Sequence, residues 1–88
     1  MDVSDEDLLE RYVEGDTEAL AALVERYRLP LFSFLMRMTG NGEEADEVFQ
    51  EVWLRVIRKA DGYKRDRFRG WLFRIGHNLI IDLSLIHI

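Results

Sequence analysis

The sequence has no cysteine, a single proline in 88 residues, and no apolar run long enough to cross a bilayer. Without cysteine there can be no disulfide, thiolate zinc site or cysteine nucleophile, which agrees with a reducing cytoplasm. A membrane-spanning helix needs about 20 consecutive apolar residues, so no membrane insertion is expected. The acidic start from Asp2 to Asp7 is the reverse of the basic opening that a secretory signal requires, so the expected location is the cytoplasm. Histidine is scarce too, with only His77 and His87, and no Glu-x-x-His pair of the di-iron bundles occurs. Glu43 and Glu47 have the i, i+4 spacing that permits shared coordination, but nothing completes a site around them. No catalytic residue, metal or cofactor is therefore expected.

Positive charge is missing from one end. Residues 1–51 carry 14 acidic and 4 basic side chains, and residues 52–88 carry 3 acidic and 8 basic ones. The overall charge of −5 thus hides a front of −10 and a rear of +5, which suggests two partners of opposite charge preference. Acidic residues also favour helix N-termini, which accounts for part of the asymmetry without any partner. At 48% hydrophobic and 33% charged residues, the chain has the composition of one small globular domain with a thin core.

The apolar spacing is helical throughout, and the fold class is all-α, a compact bundle of three to four helices. Ser4 and Asp7 have the spacing of a capping box before Leu8, Leu9, Tyr12 and Val13. Gly15 interrupts this first helix, and Asp16 or Thr17 caps a second with the stripe Leu20, Leu23, Val24 and Tyr27. Pro30 is expected to end or bend that helix. It leads into a segment, Leu31, Phe32, Leu35, Met36 and Met38, apolar almost all round and so expected at the centre of the core. After the turn Thr39-Gly40-Asn41-Gly42, Asn41 caps a helix over residues 43–60 with the apolar face Ala45, Val48, Phe49, Val52, Trp53, Val56 and Ile57. Asp61-Gly62 stops it. The loop Tyr63-Lys64-Arg65-Asp66-Arg67 leads into a last helix over 67–82, with Phe68, Trp71, Leu72, Ile75 and Leu79 on its buried side and Arg74, His77 and Asn78 opposite. The last two helices should pack on each other with Trp53 buried, since neither can bury its stripe alone.

The run Ala45-Asp46-Glu47-Val48-Phe49-Gln50-Glu51-Val52-Trp53-Leu54-Arg55 resembles the polymerase-docking helix of bacterial sigma factors. Phe68-Arg69-Gly70-Trp71-Leu72-Phe73-Arg74-Ile75-Gly76-His77-Asn78-Leu79 resembles their promoter-melting helix, at matching spacing. Gly15-Asp16, Ala19-Leu20, Leu23-Val24 and Tyr27 are similar to the opening helix of the same domain in the extracytoplasmic-function group. The resemblance spans residues 5–82 and implies a sigma region 2 fold.

It also implies two surfaces. Asp46, Glu47, Gln50, Glu51 and Arg55 match the positions that dock on the clamp of the largest catalytic subunit of RNA polymerase; Asp46-Glu47 inverts the family's commoner Glu-Asp and keeps the charge. Carboxylates beside an amide at helical spacing suit arginines on a partner helix. Tyr63, Lys64, Arg65, Asp66 and Arg67 match the loop that captures a base flipped from the −10 element, and Arg74, His77 and Asn78 match the helix beside it. The residues themselves support that reading, since Lys64, Arg65, Arg67, Arg69 and Arg74 interleave with Tyr63, Phe68, Trp71 and Phe73. Cations attract phosphates, and π-faces receive unpaired bases. Phe68 and Trp71 also sit at core spacing, which makes a structural role the expectation for both.

The implied partners are the RNA polymerase core and promoter DNA, with the −10 element as a single strand. An anti-sigma factor is a further partner that the family admits. Region 2 is expected over residues 1–82, without the family's −35-reading domain, and Leu83 to Ile88 read as a foreign or truncated tail. The competing function is a helical protein-interaction adaptor that does not read DNA.

Overall fold

The computed structural model describes residues 3–63 and 67–86, with side chains to Leu83. Among these residues four helices follow one another, α1 (Asp5–Val13), α2 (Thr17–Thr39), α3 (Gly42–Lys59) and α4 (Phe68–Ile86), with a 3-10 turn at Ala60–Gly62 after α3. No strand occurs among the described residues. Each start has its acceptor: Ser4 Oγ takes the Asp7 N–H at 3.1 Å and Asp16 Oδ1 the Glu18 N–H at 3.1 Å. Asn41 Oδ1 takes those of Glu43 at 2.8 Å and Glu44 at 3.2 Å. Such caps are each worth about 1 kcal/mol and fix where a helix begins.

Pro30 does not end α2, contrary to the expectation of a separate segment beginning there. The helix runs through it to Thr39. Proline in a helix interior costs about 3 kcal/mol through its missing N–H. That cost is outweighed by a stripe on both sides of it, Ala19, Leu23, Tyr27, Leu31 and Leu35, every member buried. Four residues advance about 400°, so the stripe turns about 40° per step and faces α1 first, then α3 and α4. The second half of α2 is not central all round. Met36 is 36% and Met38 39% exposed, because the other helices cover one side of it. Gly40 then ends α2 in the left-handed region at φ 67°, its N–H bonded to the Met36 carbonyl, and the chain reverses into α3.

Trp53 is buried as expected, together with Ala45, Val48, Val52 and Val56 on α3, and Phe68, Leu72, Ile75 and Leu79 on α4. Ile57 is not: it lies 40% exposed, since a stripe of seven residues subtends a wider arc than α2 and α4 together cover. At Gly76 an added Cβ would stand 3.3 Å from Leu35 Cδ2 and 3.6 Å from Val52 Cγ2. The missing side chain there lets α4 lie against α2 and α3. Helix α4 continues through residues 83–86, with Leu83 partly buried against the core.

Helix α1 is fastened by its first turn. Asp5 pairs with Arg26 at 2.7 Å and accepts from the Tyr27 hydroxyl. Burial, reinforced by the Asp5 carboxylate, pushes the Tyr27 phenol up to about 12. The unfolded chain loses that proton near pH 10, so the contribution is whole below pH 10 and is lost as pH rises toward 12. Tyr27→Phe should cost about 1.5 to 3 kcal/mol at neutral pH, as for a hydrogen bond to a charged group. In thermal melts the gap between wild type and variant should hold to pH 9 and narrow above 10; a gap constant to pH 12 would contradict this account.

Candidate functional site

Two surfaces emerge from α3 and α4. On α3, Asp46, Glu47 and Gln50 are exposed, with Glu51 and Arg55 half-buried. Gln50 Nε2 donates to Asp46 Oδ2 at 3.2 Å, which orders the two side chains one turn apart. Glu51 Oε2 lies 3.6 Å from Arg55 and 3.4 Å from Arg58. At about 100° per residue the five positions span half of the helix circumference, with Leu54 and Ile57 inside the same arc. Leu54 is 46% and Ile57 40% exposed, so an apolar strip lies among the carboxylates. Sequence reasoning missed this strip by counting Ile57 as core, although the helical angle of both residues signals it.

The second surface is a cleft of about 590 Å³ where the end of α3 meets the start of α4, lined by Arg58, Lys59, Gly62, Tyr63, Arg67, Gly70, Trp71 and Arg74. Local folding explains it. The 3-10 turn buries Ala60, and the Tyr63 N–H donates to the Ala60 carbonyl at 3.2 Å, turning the Tyr63 ring onto α4. That ring packs on Trp71 with centroids 4.7 Å apart. Phe68 is fully buried beneath them, 5.8 Å from Tyr27, 6.5 Å from Trp53, 6.4 Å from Tyr63 and 5.9 Å from Trp71. Four cations therefore surround an aromatic pair, and no carboxylate lines the cleft among the described residues. Its size falls within the roughly 300–1,000 Å³ of sites that hold small organic groups.

The structure sorts the expected nucleic-acid residues. Tyr63, Arg67 and Arg74 meet in the cleft, while Lys64, Arg65 and Asp66 lie outside the described residues. His77 and Asn78 are exposed on α4, about one turn past Arg74. Arg69 points elsewhere, its guanidinium 4.8 Å from the centre of the Phe73 ring and 5.7 Å from that of Tyr27. Phe68 is purely core, whereas Trp71 is half-buried and walls the cleft as well as the bundle. Arg58 and Lys59 were not singled out from the sequence. The charge they place at the last turn of α3 also suits the negative end of its dipole, and only the fold of α4 against them makes them cleft residues.

Comparison with known proteins follows the same lines. Residues 23–84 match the family model described as Sigma-70 region 2. The chain is 37% identical over 70 residues to the ECF RNA polymerase sigma factor SigW of Bacillus subtilis (strain 168), covering 78% of this chain and 37% of that protein. It is 35% identical over 77 residues to the ECF RNA polymerase sigma-E factor of Escherichia coli (strain K12), covering 86% of this chain and 40% of that one. The chain thus spans about two fifths of the length of these relatives. Among solved structures, it superposes with a TM-score of 0.84 and 30% identity on an engineered region 2 of sigmaE, solved by NMR in complex with GTAAAA, covering 96% of this chain and 88% of the other. On the family match, the fold and these relatives together, the chain belongs to the sigma-70 region 2 family, in its extracytoplasmic-function group.

Proposed function

We propose that this domain acts in transcription initiation, docking through α3 on the clamp of the largest catalytic subunit of RNA polymerase and holding the −10 element as a single strand in the α3–α4 cleft. The observation that carries the reading is the cleft itself, with Arg58, Lys59, Arg67 and Arg74 around the paired rings of Tyr63 and Trp71. Cations at the rim follow a phosphate backbone, and an aromatic wall receives a base only once that base has left its own stack. In duplex DNA each base face is covered by its neighbours. The cleft thus favours the melted strand by differential binding, and no bond is made or broken. The related engineered region 2 bound to GTAAAA supports the same use of the fold.

On α3 the carboxylates and Gln50 supply charge-assisted bonds to a basic partner helix, and Leu54 and Ile57 supply the apolar contact between them. The double substitution Gln50→Ala, Glu51→Ala should weaken binding to the polymerase core by tenfold or more. Gln50 is exposed, and the half-buried Glu51 gives up only surface ion pairs, so each change should cost about 0.5 kcal/mol or less and the melting temperature should hardly move. The test is a titration of fluorescent single strands, −10-like and scrambled, with the domain bound to the core enzyme. Preference for the −10-like strand over both its scramble and its duplex supports the reading. Equal affinity for all three would leave a protein adaptor that ignores DNA.

A further inference from the structure

Helix α1 contributes nothing to the cleft walls, yet one of its side chains holds the start of α4. The first N–H groups of a helix have no partner within it. Arg67, which precedes α4, carries a side chain that can only donate. The Phe68 N–H instead donates to Glu6 Oε2 at 2.7 Å, across 62 residues of sequence. That distance is typical of a bond to an ionised acceptor, and a carboxylate at this end of a helix also meets the positive pole of its dipole. The support behind Glu6 is rigid. Asp5, its neighbour, is clasped by Arg26 and Tyr27 of α2, and Leu8 and Leu9 are buried. Glu6 lies beside Tyr63 in a small cavity of about 190 Å³, on the side away from the cations, so Tyr63 forms a partition between Glu6 and the cleft.

We infer that Glu6 is a positioning residue for nucleic-acid reading: as the cap of α4 it sets Arg67, Gly70, Trp71 and Arg74 in register with Arg58, Lys59 and Tyr63. Loss of the cap lets the first turn of α4 shift, and the two halves of the cleft separate. The inference rests on the proposed function, and its test separates the two. In the full 88-residue chain, the Phe68 amide should exchange faster and its ¹H–¹⁵N signal should move in Glu6→Ala, and stay close to wild type in Glu6→Gln, whose amide oxygen still accepts the bond. Affinity for a fluorescent GTAAAA strand at low salt should fall about three- to tenfold in Glu6→Ala, the order expected for one misplaced contact region, and remain within about twofold in Glu6→Gln. The core variant Val48→Ala, far from the cleft and destabilised by its own cavity, should also stay within about twofold. Should Glu6→Ala fail to fold, Glu6→Asp, one methylene too short to reach, takes its place. An unmoved Phe68 amide, equal losses in Glu6→Ala and Val48→Ala, or no rescue by Gln would overturn the inference. A wild type that binds GTAAAA no better than its scramble would instead count against the function, leaving the amide result to decide whether the cap exists.

Discussion

Replacing Phe68 with alanine is expected to cost about 3–5 kcal/mol, the largest loss of any single substitution considered for this domain. A chain of this size has about 5–15 kcal/mol in all, so the variant should be close to unfolding at physiological temperature. The reason is position as much as size. The ring is fully buried at the junction of α2, α3 and α4, in contact with Tyr27, Trp53, Tyr63 and Trp71. Aromatic pairs of this kind add about 0.5–1.5 kcal/mol each beyond their buried area, and four of them share this one partner. None of the surrounding rings can swing into the void without leaving its own contacts. Urea denaturation of Phe68→Ala beside Phe68→Leu, which keeps most of the volume, measures the effect. Losses below about 1.5 kcal/mol for the alanine variant would show that the cluster collapses around the gap and that Phe68 is no hub.

The second large effect concerns DNA. Substituting Arg58, Arg67 and Arg74 together by glutamine should lower affinity for single strands about a hundredfold near 0.1 M salt. Each phosphate contact contributes about 0.7 to the log–log salt slope, hence a factor of about five per contact at that concentration, and the slope itself should drop by about 2. The loss should be nearly uniform across sequences, because phosphate contacts position the strand without reading it. All three residues are exposed, so the fold should tolerate the change. Asn78→Ala should do the reverse, leaving the slope alone and eroding discrimination among bases. A triple variant with an unchanged salt slope would mean that phosphates do not run along this cleft.

Glu51 links the two surfaces. Its carboxylate is shared between Arg55 on the acidic face of α3 and Arg58 on the cleft, at 3.6 and 3.4 Å. Exposed pairs like these contribute little to stability, so the bond is easily exchanged for another.

Much of this protein was legible in its sequence because helices announce themselves locally. The caps at Ser4, Asp16 and Asn41 and the stripe from Ala45 to Val56 are consequences of nearest-neighbour chemistry and a period of 3.6 residues, with no knowledge of what lies opposite. The charge division and the two spaced motifs likewise pointed to an acidic helix and a basic aromatic segment. What the tertiary structure decided is everything that depends on which helix covers which arc. Pro30 reads locally as a break, and only the buried residues on both sides of it keep α2 whole. Met36, Met38 and Ile57 are as apolar as their buried neighbours, and their exposure follows from the finite width of the helices packed beside them. Arg69 and Arg74 look alike in sequence, yet the turn of α4 sends one onto the rings of Phe73 and Tyr27 and the other into the cleft. Glu6 could not be read at all, since its bond to the Phe68 amide joins residues 62 positions apart and no local pattern carries information over that distance.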